Sequence, residues 1–192
     1  MFRLNGEETE EWLANAPESA SVYLVGIGGC GMSGLAHLLL DLGFTVYGSD
    51  LQKNSVIRQL CARGAQTFEG HAPDQLQSVK PTLIVYSSAI RMDNPEMAVA
   101  EKQNIPIVRR AVLLAALIKC RRGVCVAGMH GKTTTTALLA QALDALGASP
   151  GYAIGAIVPQ FGRHARMGDS EVRFFVVETD ESDGTLREFH AE

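Results

Sequence analysis

No stretch of this 192-residue chain is apolar for the ~20 residues that a membrane-spanning helix needs, which argues against membrane insertion. The opening residues, MFRLNGEETEEWLANAPESA, have neither a basic start nor an apolar centre. They lack the marks of a signal peptide and read as a polar leader over 1–20. Cysteine is scarce too. Cys30, Cys61, Cys120 and Cys125 include no CxxC pair and nothing suggests secretion, so they read as reduced thiols of a cytoplasmic protein, mostly small core residues. A basic excess is also missing: 17 Lys and Arg against 21 Asp and Glu leave a formal net charge of −4, without the broad positive face that nucleic-acid binding calls for. Internal repeats and low-complexity tracts are absent. What remains is an ordinary balance for a folded soluble chain, 46% hydrophobic and 20% charged.

Apolar runs of strand length alternate with helix-period segments. SVYLVGIG reads as a buried strand, followed by a helix from about Met32 to Leu42; FTVYGSD and SVIRQLCARGA repeat the pair. A short strand near AQTFEG and the long PTLIVYSSAI follow, then a helix in NPEMAVAEKQN with Pro95 in its first turn, a strand in IPIVRR and a helix in AVLLAALIKC. This order predicts a parallel sheet covered by helices on both faces. A boundary is expected near Lys119–Gly123, where KCRRG precedes a new strand–loop–helix unit.

That unit, VCVAGMHGKTTTT, carries the strongest chemical signal. Backbone N–H groups at a helix start point at whatever sits before it, and a phosphate chain is the anion they suit. Gly128 and Gly131 let backbone approach closely, Lys132 reaches toward β- and γ-phosphates, and the Thr133 hydroxyl can ligate Mg²⁺. The full P-loop spacing would place a glycine at 126, where Val126 stands, so the match is to a shortened G-x-x-G-K-T form. A flexible turn with a solvated lysine is the competing reading, but four consecutive threonines are poor helix formers without another purpose.

A second glycine loop lies earlier. Gly26-Ile27-Gly28-Gly29-Cys30-Gly31 satisfies GxGxxG between strand and helix, and Asp50 ends the next strand where a ribose-binding acid is expected. Alone this suggests NAD and an oxidoreductase; with the second loop it suggests two nucleotides handled by one protein. A purely structural turn stays open, as does a non-catalytic nucleotide-binding module. Ser87 and Ser88 end an apolar strand, where ligands of open sheets gather. His71 follows Gly70 in a loop, and Arg109 and Arg110 would help hold a doubly anionic ligand or merely solvate an edge. His37 reads as packing or surface; His164 and His190 show no partner spacing. RFFVVETDESDG ends a further strand in Glu178, Asp180, Glu181 and Asp183, a solvated acidic turn or, beside a phosphate loop, a place for Mg²⁺.

GMHGKTTTT resembles the ATP loop of the Mur ligases, G-T-[HN]-G-K-[TS]-[TS], with Met129 in place of the usual Thr. VYLVGIGGCGMSGLA, VYGSD, GH at 70–71, SSAI at 87–90, DNPE at 93–96, RRA at 109–111 and ETDESD at 178–183 extend the resemblance in the family's order. His130, SSAI and RRA favour the alanine-adding branch over one that attaches a preformed peptide. The resemblance implies a Rossmann-like UDP-sugar domain over 21–119 and, over 120–192, the start of a P-loop ATP domain that looks truncated. It implies ATP and Mg²⁺, and UDP-N-acetylmuramate and L-alanine as substrates joined through an acyl phosphate. Gly128, Met129, His130, Gly131, Lys132, Thr133 and Thr134 would hold ATP, and Thr133 and Glu178 the metal, with Lys132 and Glu178 catalytic. Gly28, Gly29, Cys30, Gly31, Met32, Asp50, His71, Ser87, Ser88 and Arg109 would hold the sugar nucleotide. The remaining metal and nucleotide contacts would lie beyond Glu192, so the fragment alone is expected to be inactive.

Overall fold

The computed structural model describes residues 2–119, 121–169, 171 and 174–179. Asp180, Glu181, Asp183 and His190 lie outside them. Five parallel strands, β1 (Ser21–Val25), β2 (Thr45–Asp50), β3 (Gln66–Glu69), β4 (Leu83–Tyr86) and β5 (Ile107–Arg109), stand in the order β3-β2-β1-β4-β5. The chain moves outward from β1 to β3 and then restarts at β4 on the other side. That reversal leaves a crevice beyond the carboxyl ends of β1 and β4, where open α/β sheets bind ligands.

The period-2 geometry of a strand divides the residues of β1 between two faces. Val22 and Leu24 join one cluster with α2 (Cys30–Asp41), α3 (Ser55–Ala62) and α6 (Arg110–Ile118), through residues such as Leu35, Leu38, Leu60 and Leu113. Tyr23 and Val25 join the other with α4 (Pro73–Val79) and α5 (Pro95–Lys102), through Leu76, Met97 and Ala100. Both faces are covered, as the pattern predicts. α4 is an element the apolar pattern did not announce: Pro73 starts it at a position that tolerates a missing N–H.

The leader is part of the fold. Asn5 and Glu8 form a reciprocal capping box that starts α1 (Gly6–Asn15). The helix packs on α6, Trp12 stacks on Phe44, and Lys119 reaches Glu10 at 2.7 Å. Before the helix, Leu4 donates to the carbonyl of Ile107 at 2.9 Å and Ile107 donates to that of Phe2 at 3.0 Å.

The second sheet departs from the all-parallel expectation. β6 (Arg122–Val126), β9 (Phe174–Glu178) and β7 (Gly151–Val158) are parallel, but β8 (Arg163–Arg166) returns antiparallel to β7, giving the order β6-β9-β7-β8. One face, with Tyr152, Ile154 and Val176, packs around Ala140 of α7 (Lys132–Ala145). The other face sends Ala165, Phe175 and Val177 into the cluster around α2, so the two sheets share a core.

Polar groups also cross that junction. Asp41 at the end of α2 accepts from Arg163 at 3.1 Å and from the Met167 N–H at 2.8 Å, besides Arg63 at 2.6 Å. His37 and His164 meet edge to face with ring centroids 5.4 Å apart. Burial, reinforced by His164, Arg63 and Arg163, pushes His37 down to about 4; burial also lowers His164. The three described cysteines do not follow their expected burial: Cys30 and Cys61 are exposed and Cys125 is half-buried, each a free thiol, while Cys120 lies outside the described residues. Cys30 opens a helix at the crevice and Cys61 lies on the outer side of α3, positions set by function or surface rather than by thiol hydrophobicity.

Candidate active site between two glycine loops

The first loop is fastened by side chains from the strand and helix that follow it. The Gly28 N–H donates to Asp50 at 2.8 Å, Asn54 donates to the Gly28 carbonyl at 3.1 Å, and Gly26 and Ile27 both donate to the carbonyl of Ser49. A Cβ on Gly28 would stand 2.9 Å from Asp50 and 3.0 Å from both Asn54 and Ile57, so this glycine serves packing inside the protein. Gly29 faces outward, with only the Gly26 carbonyl near, at 3.4 Å. No side chain caps α2, which leaves its first N–H groups for an anion in the crevice. Met32 offers at most its backbone, because its side chain is buried in the core.

The second loop joins β6 to α7 and is shaped by backbone sign. Gly128 and Gly131 have φ of +143° and +79°, where other residues are strained, and nothing lies within 4 Å of a Cβ built on either. Met129 and His130 are exposed. Lys132 folds back on the loop and donates to the Gly128 carbonyl at 2.7 Å. Thr134 is exposed on the first turn of α7.

Thr133 and Glu178, far apart in sequence, come together. The Thr133 hydroxyl stands 3.0 Å from each carboxylate oxygen of Glu178, and the Gly155 N–H donates to Glu178 at 2.8 Å. A hydroxyl and a carboxylate at the lip of a phosphate loop are the hard oxygen donors that suit Mg²⁺ alongside phosphate oxygens. Gly155 was not singled out from sequence. A Cβ there would stand 2.6 Å from Glu178 and 3.1 Å from Thr133, so only glycine lets β7 pass this close. A glycine inside an apolar strand, GYAIGAIV, is the signal that could have found it.

The start of α2 and the Glu178 end of β9 open onto one cavity of about 220 Å³, lined by Cys30, Gly31 and Gly34 of α2, Arg110 of α6, Gly155 of β7 and Glu178 of β9, among others. The Cys30 thiol donates to the Gly155 carbonyl across it, and burial, with Glu178 nearby and despite Arg110, pushes that thiol up, so Cys30 is a protonated donor. Arg110 lies against Gly31, 3.1 Å from where a Cβ would be. Arg109 and Arg110 both line a small crevice with Tyr86 and Ser88, and of the pair Arg110 also lines the larger cavity. Ser87 caps the turn after β4, its carbonyl accepting from Ile90. His71 lies beyond β3 and hydrogen-bonds to Ser49 at 2.9 Å.

Comparison with known proteins agrees with this geometry. The profile of the Mur ligase family, catalytic domain, matches residues 21–122. The chain is 47% identical over 171 residues to a UDP-N-acetylmuramate–L-alanine ligase of Methylobacterium sp. (strain 4-46), covering 89% of this chain and 36% of that protein. A ligase of the same name from Myxococcus xanthus is 45% identical over 172 residues, 90% of this chain and 36% of the relative. The chain therefore spans about a third of the length of these relatives. Among solved structures, the UDP-N-acetylmuramate-alanine ligase of Thermotoga maritima superposes with a TM-score of 0.83 at 32% identity, over 89% of this chain and 39% of that one. A UDP-N-acetylmuramate:L-alanyl-gamma-D-glutamyl-meso-diaminopimelate ligase from Neisseria meningitides gives 0.81 at 31%, over 84% and 53%. With this match over residues 21–122, the chain belongs to the Mur ligase family.

Proposed function

We propose that this chain carries the sugar-nucleotide site and the ATP loop of an enzyme that joins L-alanine to UDP-N-acetylmuramate in peptidoglycan precursor synthesis. One observation carries the reading: Glu178, which the Thr133 hydroxyl touches, borders the same cavity as the start of α2, so a substrate on the first loop can present its carboxylate to a phosphate on the second. In this reading the lactyl carboxylate takes the γ-phosphoryl group of ATP, releasing ADP, to give an acyl phosphate, and the amine of alanine then attacks the acyl carbon and displaces inorganic phosphate. Two anions meet in the first step, so the barrier is largely electrostatic. Thr133 and Glu178 would hold Mg²⁺, which would supply charge neutralisation at the phosphates. Lys132 leaves the Gly128 carbonyl to bind the transferring phosphoryl group. The α2 start positions the pyrophosphate, and Arg110 adds positive charge where the lactyl carboxylate enters, so α2 and α7 together supply proximity. The name of the Methylobacterium relative supports alanine as the amino acid.

Calorimetry on this chain tests the first half of the proposal. UDP-N-acetylmuramate is expected to bind without ATP, and Gly29→Val to weaken it at least about tenfold, because the added side chain points into the crevice. Unchanged affinity in a folded Gly29→Val protein removes the first loop from the substrate site.

A further inference from the structure

Glu96 is wholly buried, in the first turn of a helix where acids are ordinarily solvated. Burying a carboxylate costs several kcal/mol unless hydrogen bonds replace its water. Three side chains do so. The Tyr23 hydroxyl donates to one oxygen, the Ser49 hydroxyl donates to the other at 2.7 Å, and His71 Nδ1 lies 2.9 Å from that same oxygen. Burial, then the bond to Glu96, holds the Tyr23 phenol far above its ordinary range, so it stays a donor. The proposed phosphoryl transfer uses none of Tyr23, Ser49 and Glu96; of the cluster only His71 is expected at the sugar nucleotide.

The hydrogen-bond inventory settles where the proton of His71 sits. Both hydroxyl protons are committed to Glu96, so Nδ1 faces two acceptors, the Ser49 oxygen at 2.9 Å and the Glu96 oxygen. Nδ1 therefore carries a proton. In the neutral ring Nε2 is then an acceptor, and the ring keeps 14% of its side-chain surface open. The position of the ring matters as much. Ser49, which it touches, also receives the Gly26 and Ile27 amides of the first loop, and its neighbour Asp50 receives that of Gly28. A nucleoside diphosphate with its pyrophosphate at the α2 start and its ribose near Asp50 directs its base toward the β2–β3 end, where His71 stands.

We infer that Glu96 is a positioning residue that locks His71 with its proton on Nδ1, so that Nε2 accepts the imide N–H of a uracil ring and rejects cytosine. This rests on the sugar-nucleotide reading of the first loop. Cytosine presents a lone pair at the same ring position, so two acceptors would face each other, and a mismatch of that kind discriminates strongly.

Nitrogen-15 NMR of this chain, with UDP and CDP titrations by calorimetry, tests the inference. The expected His71 signature is a protonated Nδ1 and an unprotonated Nε2, with UDP bound about tenfold or more tighter than CDP. Glu96→Gln places an amide N–H against Nδ1, so the proton is expected to move to Nε2 and the UDP/CDP ratio to fall at least about fivefold. Tyr23→Phe removes a donor from Glu96 but leaves its carboxylate on His71, and is expected to leave the ratio unchanged. An Nε2-protonated ring in the unmutated chain, or a Tyr23→Phe effect as large as that of Glu96→Gln, overturns the inference. Should Glu96→Gln not fold, the unmutated chain still decides through its tautomer and its ratio. Equal affinity for UDP and CDP defeats the inference while leaving the sugar-nucleotide reading intact. Loss of all nucleotide binding defeats both, even with the proton on Nδ1.

Discussion

The two glycine loops do similar work by different means. The first is clasped by Asp50 and Asn54 and backed by Ile57, and its critical glycine is the one with no room around it. The second stands in open space, held by two positive-φ glycines and a lysine lying on its own carbonyl. A loop fixed by tertiary contacts is ordered before its ligand arrives. On the proposed reading, one shaped by local backbone gives up the Lys132–Gly128 hydrogen bond when Lys132 turns to a phosphate, and part of the binding energy is spent there. The first loop should therefore answer to mutation of Gly28 through stability, the second to mutation of Lys132 through ligand affinity.

The largest expected effect breaks the comparison by removing the frame that both loops share. His37 and His164 lie between α2 and β8, and their lowered pKa values mean the folded protein excludes their protons. As pH falls through the ordinary histidine range, the unfolded chain binds protons that the folded chain refuses. Stability present above about 6.5 is lost progressively until His37 itself titrates at about 4. The shift from 6.5 to about 4 corresponds to roughly 3 kcal/mol. Urea midpoints measured between pH 7 and 4 should fall steeply, and His37→Gln should flatten the curve; a level profile in the unmutated chain contradicts this.

Next, Gly28→Val forces a side chain against Asp50, Asn54 and Ile57, and is expected to cost about 2 kcal/mol of stability. Gly131→Ala meets no atom but sits at φ +79°, so about 1 kcal/mol is expected. A thermal melt that ranks Gly131→Ala as the more damaging reverses the distinction between the loops. Smallest in stability is Lys132→Ala, within about 0.5 kcal/mol of the parent, while binding of an ATP analogue falls and UDP-N-acetylmuramate binding holds. Equal loss of both ligands means that the loops do not act separately.

Much of the first sheet was legible because Val22 to Val25, Leu83 to Tyr86 and the apolar stripe of α2 are buried, and burial leaves a periodic mark. The β7–β8 hairpin was not legible. RHAR has no apolar alternation, and His164 and Ala165 are buried side by side against Ser33 and Gly34 of another element. His164 showed no partner spacing because its partner is Ser33, 131 positions away. Thr133 and Glu178 were expected together as metal ligands through the resemblance, and the structure adds their direct contact. Gly155, which makes that contact sterically feasible, stayed hidden inside a strand. Arg109 and Arg110 look alike in a sequence; which one enters the cavity depends on the start of α6. Glu96 stood out in the sequence only as the end of DNPE, and its burial shows only through the three donors converging from β1, β2 and the loop after β3.

The pairing of residues 2–4 with Ile107 has a consequence for how this molecule meets its own copies. β5 stands last in its sheet, and an end strand with free amides and carbonyls is a template for another chain's strand. Here the Ile107 N–H and carbonyl are already taken by Phe2 and Leu4, and the strand is only three residues long. The turn of chain ahead of α1 thus acts as a guard against sheet-to-sheet accretion during folding, when an apolar IVR segment would otherwise lie open to neighbours.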